Sequence, residues 1–176
     1  VSPTPISRGE FGVIGAKRIL ALLAKYEIKA TWFVPGHTIE TYPDACKAIV
    51  DAGHEIGNHG WTHRSTLEMS EAEEEAELLR ANETVRKLTS RNPLGYRSPV
   101  WDLTPNTVKL LVKHGFLYES TGEKGQSTVR KVDLKSGETV QRYNLSSRYF
   151  GESIIDWQDH LVQHAGQAQI GFVYDL

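Results

Sequence analysis

The chain has 176 residues, of which 39% are hydrophobic and 24% charged, with 20 basic and 22 acidic side chains and a formal net charge of −2. That size suits a single domain with a real core, read here as residues 1–176. The near-neutral charge argues against a nucleic-acid-binding surface or a polybasic membrane face. No apolar run approaches about 18 residues, which excludes a membrane-spanning helix, and a single cysteine, Cys46, excludes an internal disulfide framework.

Val1 to Ile6 carries Pro3 and Pro5 and no initiator methionine, and reads as a chain entered in the middle. No signal peptide is visible there, so a cytoplasmic location is expected. Ile19, Leu20, Leu22 and Leu23 recur at helical spacing and predict a helix over Ala16 to Tyr26. Ile28 to Val34 is apolar, β-branched and aromatic, and precedes Pro35-Gly36; it predicts a buried strand. Asp44 to Ala52 reads as a helix closed by Gly53 at C′, with Cys46 as a small core residue. Glu55 to Asn58 reads as a short strand. Ser70 and Glu73 form a capping box for a helix to about Leu88, and the cluster from Glu71 to Glu77 reads as its solvated, acidic face. Gly95 to Arg97 predicts a strand. Thr104-Pro105 predicts a helix start, with Asp102 helping to cap it, and that helix ends near Gly115. Phe116 to Ser120 predicts a further strand.

This alternation argues for parallel βαβ units, in an open sheet or a barrel. Beyond Thr121 the pattern changes. Gly122 to Gly137 lacks periodicity, Val140 to Tyr149 suits a strand or hairpin, Ile154 to His164 suits a short helix, and Ile170 to Leu176 suits a strand.

Chemistry concentrates in His59-Gly60-Trp61-Thr62-His63. Histidines four residues apart can face one side of a helical turn and meet one metal ion. Two ligands demand a third, usually a carboxylate. His37, His59 and Arg97 each fall at or just past a predicted strand end, where parallel α/β folds place their chemistry. His37 is open between a site role and a strand-end histidine bonding the backbone. Trp101 is open between a site wall and plain core. His54 and His114 read as structural.

Three segments carry a resemblance: Lys29 to His37, His59 to His63, and Gly95-Tyr96-Arg97-Ser98-Pro99 with Trp101. With Ile6 to Phe11 they resemble the polysaccharide deacetylase family (the NodB-homology domain, carbohydrate esterase family 4). The nearest-looking branch holds peptidoglycan-deacetylase-like, cyclic imide hydrolase and allantoinase-like members. The match covers roughly Ile6 to Thr121. The resemblance implies an α/β fold, a distorted parallel (β/α) barrel of the NodB-homology type, apparently truncated here. It implies a divalent metal, commonly zinc, held by one aspartate and two histidines; His59 and His63 match the histidines. Arg97 matches the arginine that orients a catalytic aspartate, and Trp101 matches an aromatic wall of the substrate groove, with His37 beside it.

The implied activity is metal-dependent hydrolysis of a linear or cyclic amide carbon–nitrogen bond. The expected substrate is an N-acetylated sugar or a peptidoglycan-type polymer. The alternatives are a cyclic imide or ureide and, in another class, a domain that keeps the fold without catalysis. The family's first motif carries two aspartates, one a general base and one the third ligand, yet Val1 to Ile6 holds no acidic residue. The histidine that serves the family as general acid is unmatched too: Phe172 to Leu176 resembles the strand before it, and His160 and His164 do not fit the motif. The simplest expectation is a truncated chain; the other is that Asp175 substitutes for the absent carboxylate. A homo-oligomer is expected as a possible assembly, since an incomplete barrel leaves sheet edges.

Overall fold

Short β-branched and aromatic segments alternate with amphipathic helices along the first two thirds of the chain. A computed structural model turns that alternation into a parallel sheet. It describes residues 5–116, 118–120, 128–132, 139–146, 148, 150–157, 160–166 and 170–175.

Helix α1 spans Pro5–Lys25, beginning well before the expected start at Ala16. Pro5 is compatible with the first turn, where its missing N–H has no partner to lose. The helix closes with Glu27 in the left-handed region, at φ 55°, and the Ile28 N–H bonded to the Leu23 carbonyl at 3.0 Å. That closure uses up Ile28, so strand β1 is only Thr31–Val34. Helix α2, Gly36–Thr41, starts at once after Pro35, in a stretch to which the sequence pattern assigned no element. Helix α3, Pro43–Asp51, ends as expected, with Gly53 at φ 75° and the His54 N–H on the Ile49 carbonyl. Strand β2, Glu55–Asn58, follows.

Helix α4, Glu71–Thr89, begins with the capping box of Ser70 and Glu73, and three acidic residues in its first turn suit the helix dipole. Strand β3 is Gly95–Arg97. Helix α5, Pro105–Lys113, is capped by Thr104, whose side chain accepts from the Thr107 N–H. Asp102 is therefore not the cap; its carboxylate goes elsewhere. Strand β4, Tyr118–Ser120, completes a sheet of order β1-β2-β3-β4 with every pairing parallel.

Two apolar clusters cover the sheet. Val34, Ile39, Cys46, Ile49, Ile56 and Val85 join α2, α3 and α4 to β1 and β2. Leu78, Tyr96, Leu110 and Leu111 join α4 and α5 to β3, with the Tyr96 and Phe116 rings edge to face at 6.1 Å. Helix α4 serves both clusters, through Val85 in one and Leu78 in the other. Burial of Cys46 pushes its thiol pKa up, as for an inert core residue.

Of the later segments, those from Val140 and from Ile170 are strands as expected, and the one from Ile154 is not a helix. Strand β5, Thr128–Val132, pairs antiparallel with β6, Thr139–Asn144, so the Val140 segment is one arm of a hairpin. The short helix expected over Ile154 to His164 is absent. The described residues of that segment belong to β7, Phe150–Trp157, and β8, His160–Gly166, which pair antiparallel and continue to β9, Ile170–Asp175. Ile154, Ile155 and Val162 are β-branched, and Ile155 sits in register with Val162. Pairing with distant residues overrode a weak local helical pattern. Tyr149 and Leu176 lie outside the described residues, as does most of Gly122 to Gly137. Among the described residues no helix is long and apolar enough to cross a membrane.

Candidate active site

The carboxyl ends of β1, β2 and β3 lie side by side in the parallel sheet, and each is followed by a residue singled out in the sequence. Val34 ends β1 and His37 follows in the first turn of α2; Asn58 ends β2 and His59 follows; Arg97 itself ends β3. The expected strand-end gathering is present.

The route by which His59 and His63 meet is not the expected one. They do not share a helical turn. Residues 59–65 form a loop with two left-handed positions, Gly60 at φ 67° and His63 at φ 63°. Those dihedrals are incompatible with an α-helix. The loop still brings the rings together, with centroids 4.9 Å apart and planes at 80°.

His59 is half-buried, with its Nδ1 2.8 Å from the Arg97 carbonyl oxygen. A carbonyl only accepts, so Nδ1 carries the hydrogen and donates it. In the neutral ring Nε2 then keeps its lone pair. Burial pushes the His59 pKa down to about 4; the carbonyl contact opposes that, while the positive charges of His63 and Arg97 add to it. At neutral pH His59 is therefore a neutral imidazole of fixed tautomer, the form that coordinates a metal.

The loop is tied down on both flanks. On one side the Gly36 N–H donates to the Gly60 carbonyl and the His37 N–H to the Trp61 carbonyl, both at 3.0 Å. The His37 ring meets Trp61 edge-on at 5.3 Å, and a Cβ on Gly36 would collide with the Trp61 indole. His37 thus has both a structural backbone role and a place on the site's rim. On the other side stands α4. Asn58 is fully buried; its amide donates to the Leu78 carbonyl at 3.0 Å and to Asn82 at 2.7 Å, and its oxygen accepts from the Gly60 N–H at 2.8 Å. The Glu77 carboxylate accepts from the Trp61 and Thr62 N–H groups and the Thr62 hydroxyl. The Arg80 guanidinium lies 3.2 Å over the Trp61 ring.

These bonds correct the expectation that Glu71 to Glu77 is only a solvated face. Glu77 holds the loop, and Glu74 is buried, accepting from Thr104, Asn106 and Thr107 across to α5. The spacing contained the signal. Glu74, Glu77, Leu78 and Ala81 stand at i, i+3, i+4 and i+7, and Val85 and Leu88 continue that stripe.

Arg97 opens a second loop, stapled to the first through Asp102. The Asp102 carboxylate binds Ser65 and lies 3.3 Å from the Ser98 hydroxyl, and its carbonyl accepts from Ser98 and Thr66. This loop presents Trp101 at φ 67° and 49% exposed, which excludes the plain-core alternative. His54 and His114 lie away from the pair, as expected. His54 Nδ1 accepts the Ala30 N–H at 3.2 Å, and His114 caps α5 with Nε2 2.7 Å from Glu75.

His59, fixed by the Arg97 carbonyl, and His63 beside it could serve a divalent ion as a pair of ligands. Among the described residues there is no group of three or more histidines, cysteines or carboxylates placed to hold one. Asp175 ends β9 in the antiparallel sheet, in register with His160, and not in the parallel sheet whose β2 end carries the pair. A groove of about 760 Å³ opens beside His63, with His37, Trp61, Thr62 and Trp32 among its lining.

The family model described as Polysaccharide deacetylase matches residues 14–118. A peptidoglycan deacetylase of Helicobacter pylori is 39% identical over 163 residues, covering 92% of this chain and 53% of that protein. The crystal structure of an allantoinase superimposes with a TM-score of 0.59 at 31% identity, over 71% of this chain and 41% of the other. A CE4 family pseudoenzyme from Bacillus anthracis gives 0.61 at 26% identity, over 64% and 40%. The chain spans about half the length of the curated relatives it matches.

Proposed function

Because the chain belongs to the polysaccharide deacetylase family, we propose that it carries the histidine part of a metal-dependent amide hydrolase site acting on N-acetyl groups of a peptidoglycan-type sugar polymer. One observation carries this reading above the others. The His59–His63 pair, with His59 kept neutral by burial and its tautomer fixed by the Arg97 carbonyl, follows the carboxyl end of β2 beside that of β3. Residues 1–176 are read as part of one catalytic domain, and the four-stranded sheet as part of the wall of a distorted (β/α) barrel.

In this reading His59 and His63 hold a divalent ion, with zinc the expected metal. Such an ion, when bound, polarises an amide carbonyl and acidifies a water molecule. The chain's own groups do the positioning. The Arg97 carbonyl fixes the His59 tautomer, while the guanidinium adds positive charge beside it and is suited to orient a carboxylate. Trp101, half-exposed on its loop, offers an apolar face to a sugar ring, and His37 lines the groove beside His63. The described residues assign no general base or general acid.

The test measures metal per chain after dialysis in wild type and His59→Ala, together with acetate release from N-acetylglucosamine oligomers. The expected result is metal and acetate release in wild type and loss of both in the variant. Equal metal in both proteins would remove His59 from the site. The likeness to an allantoinase supports a second reading, a cyclic ureide substrate. Allantoin hydrolysis without acetate release would select it. No hydrolysis of either substrate with zinc or cobalt supplied would favour a fold that has lost its chemistry.

A further inference from the structure

We propose that Glu77 is a positioning residue that fixes the distance between His59 and His63, by holding the backbone of the loop that separates them; this rests on the metal-site reading above. The loop runs through two left-handed residues, Gly60 and His63. A non-glycine residue in that region is strained, and His63 stays there only if its surroundings over-determine it. Helix dihedrals do not hold this pair together, so other contacts must.

The loop's three successive N–H groups, at Gly60, Trp61 and Thr62, all end on side-chain oxygens. The first goes to Asn58, itself bonded to α4, at 2.8 Å. The next two go to one oxygen of Glu77, at 3.2 Å and 2.8 Å, and the Thr62 hydroxyl adds a third contact at 2.8 Å. Consecutive N–H groups converging on one carboxylate oxygen form an anion nest. Hydrogen bonds to an ionised acceptor are about twice as strong as neutral ones. Among the described residues, the Glu77 bonds all fall on Trp61 and Thr62, the residues between the two histidines. Leu78, the next residue of the helix, is core. The rigid frame of α4 is thus transmitted to the imidazole pair through one carboxylate. Thr62 donates both its N–H and its hydroxyl to that carboxylate.

The experiment compares wild type, Glu77→Ala, Glu77→Gln and Ser70→Ala with two readouts. The first, on metal-free protein, is proximity of the two rings by cross-ring nuclear Overhauser effects. The second is cobalt(II) titration by absorption. Glu77→Ala is expected to lose the cross-ring signal and to weaken cobalt binding by roughly 10- to 100-fold, the range for removing a group that orients a ligand. Glu77→Gln keeps an acceptor oxygen and should recover most of both. Ser70→Ala weakens the same helix at its cap without touching the loop, and should leave both readouts at wild-type values. Unchanged ring proximity and cobalt affinity in Glu77→Ala would overturn the inference. Equal losses in Ser70→Ala would overturn it too, by reducing Glu77 to general helix stability. If wild type binds no cobalt, the metal-site reading fails by itself, and the ring signal in metal-free protein still decides whether Glu77 sets the spacing.

Discussion

A single proton separates the two forms of His54, and its surroundings accept only one. Its Nδ1 accepts the Ala30 N–H, so it must be bare there, and burial followed by the positive charge of Lys29 holds its pKa below the ordinary value. An unfolded histidine takes up its proton near pH 6.5. Below that pH the unfolded chain binds more protons than the folded one, so the stability His54 contributes is full above about pH 6.5 and drains away as the pH falls. His54→Asn keeps a nearby acceptor but cannot titrate. Urea midpoints measured between neutral and mildly acidic pH should fall less steeply in that variant than in wild type. At this scale the sequence separated His54 and His114 from His59 and His63 because strand ends and helix ends are legible from pattern. It missed Glu77, because a carboxylate on a helix looks solvated until the loop across from it has folded.

Helix α4 shows what is local in an element and what is not. Its start is written in Ser70 and Glu73, whose reciprocal bonds satisfy donors that a helix end leaves open. Ser70→Ala should cost about 1 kcal/mol, read from denaturant unfolding at neutral pH. Its end shows similar economy, with Ser90 at φ 61°. What the helix does for its neighbours was hidden. Glu74 reaches Thr107 and Asn106 on α5, and Arg80 stacks on Trp61. The loop elements behaved likewise. Capping and periodicity placed α3, α4 and α5 closely, whereas the six-residue α2 left no periodic trace and the β7–β8 pair was mistaken for a helix.

For the whole molecule, the hydrophobic contacts of α4 bridge the two clusters that cover the parallel sheet. Leu78 lies in one cluster at 5% exposure and is next to the residue that holds the histidine loop. Leu78→Ala should lower stability by about 2–5 kcal/mol, because it removes buried methyl groups and leaves a cavity. Val112→Ala, on an outer face at 69% exposure, should fall within about 0.5 kcal/mol. Thermal or urea unfolding of both variants checks the contrast. A Leu78 effect as small as that of Val112 would mean that the two clusters do not form one cooperative unit.

The sequence by itself determined the alternation of strand and helix through β4, the parallel sense of that sheet, and the gathering of His37, His59 and Arg97 at its carboxyl edge. These follow from local signals: apolar periodicity, caps, and the geometric rule that short βαβ connections return strands in one direction. Tertiary structure alone decided how His59 and His63 meet, why His59 is neutral, and which side chains hold them. Each of those depends on residues 15 to 38 positions away in the chain, and no local preference encodes a carbonyl on one strand end facing an imidazole on the next. Of the antiparallel strands after β4, β6 and β9 were legible as strand segments, whereas β5 and the β7–β8 pairing were hidden, since their hydrogen bonds come from partner strands rather than from their own segment.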